Sequence, residues 1–106
     1  MTVKRKRHHD LDAIQSKFRN VDSLEITRTA VKTANALGYG LEDIVEAVGD
    51  LEEGDFVSSR PAHSPPIPGV WHDTYNMWWD ERHLYIKFAG ETIIDITLVS
   101  FKEKGE

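Results

Sequence analysis

The run His83-Leu84-Tyr85-Ile86-Lys87-Phe88-Ala89-Gly90-Glu91-Thr92, continued by Ile93-Ile94-Asp95-Ile96-Thr97-Leu98-Val99-Ser100-Phe101-Lys102, reads as a β-hairpin. Leu84, Ile86 and Phe88 alternate with His83, Tyr85 and Lys87, so one face is apolar and the other carries groups that move protons or hold anions. Gly90-Glu91 has the Gly-X order of a tight turn whose first central residue needs positive φ. The second arm is β-branched and apolar on both faces, the pattern of a strand inside a sheet rather than at its edge. It stops abruptly in charge at Lys102-Glu103-Lys104-Gly105-Glu106. Strict alternation back from Lys102 groups it with Ser100, Leu98 and Ile96 on the core side. For Lys102 to join Tyr85, the strand must end, bend or bulge near Ser100, and that break is expected.

Upstream, Trp71 to Trp79 reads as another strand, with Trp71, Asp73, Tyr75 and Met77 on one side and His72, Thr74 and Asn76 on the other. Asp80-Glu81-Arg82 turns the chain into the hairpin. Asp55 to Arg60 is a short extended segment in which Ser58 and Arg60 share a face with Phe56. All four prolines fall within residues 61–68, so Pro61 to Gly69 is expected to be a loop, the kind that rims a site or crosses the surface.

The first half is helical in pattern. Asp10 is placed to cap a helix with Leu11, Ile14 and Phe18 on one stripe, ending near Asn20. Ser23 to Ile26 is a strand fragment or a connector. Thr27 opens a second helix, whose buried face is Ala30, Val31, Ala34 and Leu37 and whose left-handed cap is Gly38. A third begins near Leu41 with Glu42 and Asp43 in its first turn, carries the stripe Leu41, Ile44, Val45, Val48, and ends around Gly49. Helices first and strands last make an α+β domain, with N-terminal helices packed on one face of a mostly antiparallel sheet.

At 106 residues the chain is one domain, preceded by a flexible basic arm over residues 1–9. It has no cysteine, which excludes disulfides and thiolate zinc sites, and no apolar run long enough for a span or signal peptide. No membrane association is expected, and the cytoplasm is the expected compartment. The net charge of −5 argues against non-specific nucleic-acid binding. Yet the charge is segregated, with Lys4-Arg5-Lys6-Arg7 at one end and Glu42, Asp43, Glu46, Asp50, Glu52, Glu53 and Asp55 in the middle. That acidic stretch is either a solvated face or a surface for a basic partner.

No Walker loop, dinucleotide fingerprint, zincin pair, calcium loop or nucleophile elbow occurs, and no two histidines have metal-binding helical spacing. No metal or other cofactor is expected. His72, His83, Tyr85, Lys87 and Lys102, with Arg60 near by, project from the predicted sheet. Their types suit metal-free RNA cleavage through the ribose 2′-hydroxyl. That reaction needs a base for the hydroxyl, an acid for the leaving 5′-oxygen, and fixed positive charge for a crowded anionic transition state. A tyrosine holds a phosphate oxygen or stacks on a base. The bland alternative is a wet sheet face.

Thr27-Arg28-Thr29-Ala30, Ala36-Leu37-Gly38, Asp55-Phe56, Trp71 with Asp73 and Tyr75, Leu84-Tyr85-Ile86-Lys87 and the ending Val99-Ser100-Phe101-Lys102-Glu103-Lys104 occur in an order and spacing that resembles the MqsR (motility quorum-sensing regulator) family of bacterial toxins. The ending is the most specific element. The resemblance implies a RelE-like bacterial ribonuclease fold and an mRNA interferase that cleaves mRNA without the ribosome. It also implies a cognate MqsA-like antitoxin that holds the toxin inactive. By position, Tyr85 and Lys102 match family residues assigned to catalysis. Ser58 stands where the family carries a lysine, and His72 where it carries a glutamine. Arg60 is placed to replace the lost charge, and His72 becomes the expected proton shuttle. The expected set is therefore His72, Tyr85 and Lys102 for catalysis, and Arg60 and Lys87 for RNA binding. Two rival readings remain: an antitoxin-binding module weakened as a catalyst, and a nucleic-acid binder acting through Lys4 to Arg7.

Overall fold

The computed structural model describes residues 9–63, 66–92 and 94–105, with residues 62, 63 and 66–69 by backbone alone. Three helices, α1 (Leu11–Lys17), α2 (Arg28–Ala36) and α3 (Leu41–Gly49), precede four strands. The strands are β1 (Phe56–His63), β2 (Pro66–Trp79), β3 (Arg82–Gly90) and β4 (Thr97–Glu103). They form one antiparallel sheet in the order β1-β2-β3-β4, so the fold is α+β.

Each helix start is closed by a side chain that accepts from an otherwise unpaired N–H group, from the N-cap in α1 and α2 and from the third helical residue in α3. The Asp10 carboxylate accepts from Ala13 N, Thr27 Oγ1 accepts from Ala30 N, and the Asp43 carboxylate accepts from Gly40 N. Gly38 ends α2 at φ +94°, the left-handed cap the sequence predicts. In α3 the buried positions are Ile44, Ala47 and Val48, whereas Leu41 is exposed and Val45 half-buried, so the inward stripe is rotated from the expected one. None of the helices in the described residues is long and apolar enough to cross a membrane.

The helices cover one sheet face. Leu11, Ile14 and Phe18, Ala30 and Ala34, and Ile44, Ala47 and Val48 share a core with Tyr75, Met77, Leu84, Ile86, Phe88, Leu98 and Phe101. Rings interlock through it: Phe18 lies 5.4 Å from Phe88, Tyr75 5.9 Å from Phe88, and Phe56 5.6 Å from Tyr75. Asp73 is also fully buried on this side, and its carboxylate is satisfied there. Ser59 Oγ donates to Oδ1 at 2.5 Å, and the His9 backbone N–H donates to Oδ2 at 2.8 Å. The His9 ring donates through Nε2 to the Gly90 carbonyl at 3.0 Å. His9 is therefore part of the domain rather than of a flexible arm. The expectation for residues 1–8 lies outside the described residues.

Four further expectations are corrected. β4 is an edge strand of the sheet, not an inner one. Its outer edge is covered instead by the segment entering α2, through an Ile26–Leu98 bridge, Thr27 N–H to Leu98 O and Leu98 N–H to Glu25 O. The α2 hydroxyl of Thr33 also donates to Phe101 O at 2.6 Å. Second, Gly90-Glu91 is no turn: β3 ends at Gly90, and residues 91–96 make the connection. A Cβ on Gly90 would come within 2.7 Å of Ile96 Cα, so the glycine permits close backbone approach. Asp95 organises this connection by accepting from the Thr92 and Glu91 N–H groups, and those bonds, the Thr92 one first, lower its carboxyl pKa.

Third, the proline-rich stretch is not a plain loop. β1 runs to His63 and β2 starts at Pro66, with Pro61 opposite Trp71 and His63 opposite Pro66. β1 is an edge, and β3 reaches along β2 only as far as Trp71, so the missing proline N–H groups leave no inner ladder broken. Fourth, an irregularity between Phe56 and Ser58 separates their faces: Phe56 pairs with core residue Tyr75, and Ser58 with Thr74 on the other side.

The β2–β3 turn is Asp80-Glu81, with both residues at positive φ (51° and 61°). It is tied to the helical layer by Tyr39, whose hydroxyl donates to Asp80 and accepts from Arg82, both at 2.8 Å. Burial raises the Tyr39 pKa, with the Arg82 hydrogen bond opposing, and the same bond raises that of Arg82.

Candidate active site

The face away from the helices is built by strand register. Side chains paired across antiparallel strands point to the same face, and successive rows lie about 7 Å apart along the strands. One row holds Arg60, His72, Ala89 and Thr97: Arg60 pairs with His72, His72 with Ala89, and Ala89 with Thr97. The next is Ser58, Thr74, Lys87 and Ser100, then Asn76, Tyr85 and Lys102, and finally Trp78 with His83. Among these described positions there is no carboxylate. Arg60, Lys87 and Lys102 thus make a locally cationic surface on a chain of net charge −5.

Lys102 reaches this face because β4 bulges. Phe88 pairs with Leu98 and Lys87 with Ser100, so Val99 is an extra residue between them. Leu98 and Phe101 are both fully buried, and Lys102 is turned outward beside Tyr85. The break expected near Ser100 is present. The Lys102 ammonium sits over the Tyr85 ring, 5.2 Å from its centroid, a cation–π contact that holds both side chains in place. In the same row, Asn76 Oδ1 is buried and has no hydrogen-bond partner among the described residues. A cation and a phenol hydroxyl therefore stand side by side, next to a buried amide. The ammonium and the hydroxyl can together hold a phosphate oxygen.

The family model described as "Motility quorum-sensing regulator, toxin of MqsA" matches residues 6–103. The chain belongs to this family. It is also similar to the mRNA interferase toxin MqsR of Escherichia coli strain K12, at 31% identity over 101 residues, covering 95% of this chain and 98% of that one.

On this MqsR-family sheet the five residues singled out from sequence all share the open face, but not one point on it. Tyr85 and Lys102 are direct neighbours, as are Arg60 and His72. The pairs are two rows apart, about 13 Å along the strands, and Lys87 occupies the one row between them. His72 therefore approaches a phosphate at Tyr85 and Lys102 only by leaning across Thr74 and Lys87. His83, which projects from the predicted sheet but stands outside the expected set, lies one row from Tyr85 and nearer than His72. Asn76 was also missed, although its place in the alternation with His72 and Thr74 carried the signal. Within the described residues, no cluster of three His, Asp or Glu side chains is arranged to bind a metal ion.

Proposed function

We propose that this protein is the toxin of a toxin–antitoxin pair and an endoribonuclease, an mRNA interferase. The observation that carries the reading is the Tyr85–Lys102 pair, set by the Val99 bulge on a sheet face without carboxylates. Family membership and a relative named as an mRNA interferase toxin support it. RNA lies across the open face, its backbone following the cations from Arg60 and Lys87 to Lys102. At the scissile phosphate, the 2′-hydroxyl loses its proton and attacks phosphorus, and the 5′-oxygen leaves as it gains a proton. Lys102 stabilises the added negative charge, Tyr85 donates to a phosphate oxygen, and His72, two rows away, is the proton shuttle with the scissile phosphate lying over the Lys87 row between them. The reaction uses neither a metal ion nor the ribosome. The partner is an antitoxin of the MqsA type, and the site of action is the cytoplasm, where mRNA is met.

The test is incubation of single-stranded RNA with antitoxin-free, folded protein in EDTA. Fragments ending in 2′,3′-cyclic phosphate and 5′-hydroxyl are expected. RNA that stays intact would overturn the assignment and leave the chain as an antitoxin-binding module.

A further inference from the structure

Trp78 is 71% exposed, an unusual state for the largest apolar side chain in a folded domain. The neighbouring Trp79 shows the contrast. Its ring packs 5.4 Å from Tyr39 and its Nε1–H donates to Asp50, so it belongs to the helix side. Trp78 projects from the opposite face, paired in register with His83. The two rings lie 6.1 Å apart, inclined at 56°. This pair is one row, about 7 Å, from Tyr85 and Lys102. Its surroundings are polar rather than apolar, with the carboxylates of the Asp80-Glu81 turn at one end and Tyr85 and Lys102 in the next row at the other. The cation on the Tyr85 side and the exposed aromatic face favour nucleic acid over a hydrophobic protein surface as the occupant.

We propose that Trp78 and His83 form a platform on which a nucleobase next to the scissile phosphate stacks. The inference rests on the RNA-cleaving reading and adds the substrate class to it. A base offers its face to an indole only when it is unpaired, so the platform selects single-stranded over duplex RNA. With the phosphate held at Tyr85 and Lys102, the stacked base fixes the neighbouring nucleotide and hence the direction in which the strand lies. Stacking tolerates every base, so the platform supplies affinity and orientation more than a sequence code.

The probe is a short mixed-sequence 2′-O-methyl oligoribonucleotide, which lacks the attacking hydroxyl, tested single-stranded and as a duplex. Trp78→Ala should weaken single-strand binding by roughly 5- to 150-fold, the range expected for losing one stacked base. Trp78→Phe should recover most of that loss, and duplex binding should be weak in all variants. Indole fluorescence should be quenched by the single strand in the wild type and much less in Trp78→Ala. With cleavable RNA, Trp78→Ala should raise KM far more than it lowers kcat. Equal oligonucleotide affinity and equal KM in wild type and Trp78→Ala would overturn the platform, as would a variant that loses only antitoxin binding. If the wild type binds through Trp78 but cuts no RNA, the platform stands and the ribonuclease assignment falls.

Discussion

The two faces of the one sheet differ in what they bury and what they leave in solvent. On the helix-covered face even the buried carboxylate of Asp73 is satisfied, by Ser59 and the His9 backbone. On the open face Asn76 keeps a buried oxygen without a partner among the described residues, and Trp78 stands in solvent. The closed face fixes register and stability, and the open face inherits its geometry from that register. Neighbouring residues of one strand therefore have unrelated roles. Phe101 and Lys102 are the sharpest instance.

Phe101→Ala empties a fully buried site that touches the Tyr39 ring, and should cost about 3–5 kcal/mol of stability, read from denaturant midpoints. Lys102→Ala should leave the thermal midpoint nearly unchanged and lower kcat about 10²–10³-fold, as expected for removing one transition-state charge contact. A Lys102→Ala protein that melts like Phe101→Ala would erase the distinction between the faces. One that cuts RNA normally would remove Lys102 from the chemistry.

A smaller effect sharpens the comparison within the open face. The resemblance places glutamine at position 72 in other family members, so His72→Gln preserves shape and hydrogen bonding while removing the imidazole. If His72 shuttles the proton, kcat should fall by about 10²-fold or more with KM little changed. An unaltered kcat would assign proton transfer elsewhere, and His83 is the histidine nearer to Tyr85 and Lys102.

The closed face was the more legible one in the sequence, because burial writes a period. The alternation of Leu84, Ile86 and Phe88 and the spacing of Leu11, Ile14 and Phe18 follow from which side chains must leave water, and the cap at Gly38 from the left-handed backbone that ends α2. Even the Val99 bulge showed itself, as a conflict between the apolar parity of β4 and the outward place Lys102 needs. The bulge near Val57 did not, because Phe56, Ser58 and Arg60 satisfy strict alternation equally well as plain sequence. The strands through the prolines were hidden for a different reason: proline forbids an inner ladder but not an outer edge, and edge position is a property of the sheet. Likewise the anchoring of His9 rests in part on a backbone N–H, which leaves no mark on residue type, and in part on its imidazole, which nothing in the sequence sets apart from that of His8. On the open face residue types named the chemistry, but the separation of His72 from Tyr85 became visible only from the pairing of β2 with β3.

The smallest effect lies where the two faces meet, at the turn between β2 and β3. Asp80 and Glu81 both hold positive φ, a conformation costing a residue with a Cβ roughly 1–2 kcal/mol. The hairpin demands it, because only a turn of that hand matches the twist of the flanking strands. Asp80 is compensated by the hydroxyl of Tyr39. Glu81 is exposed and accepts no comparable bond in the turn's network with Tyr39 and Arg82. Glu81→Gly should therefore relieve strain without removing a contact and raise stability by about 1 kcal/mol, less the extra entropy that glycine gives the unfolded chain. Because Trp78 and His83 flank this turn, the same variant reads out how firmly the open face depends on it. Raised stability with unchanged oligonucleotide affinity means that strand pairing alone positions the two rings. A stabilised protein with weakened binding would mean that the strained turn sets their angle.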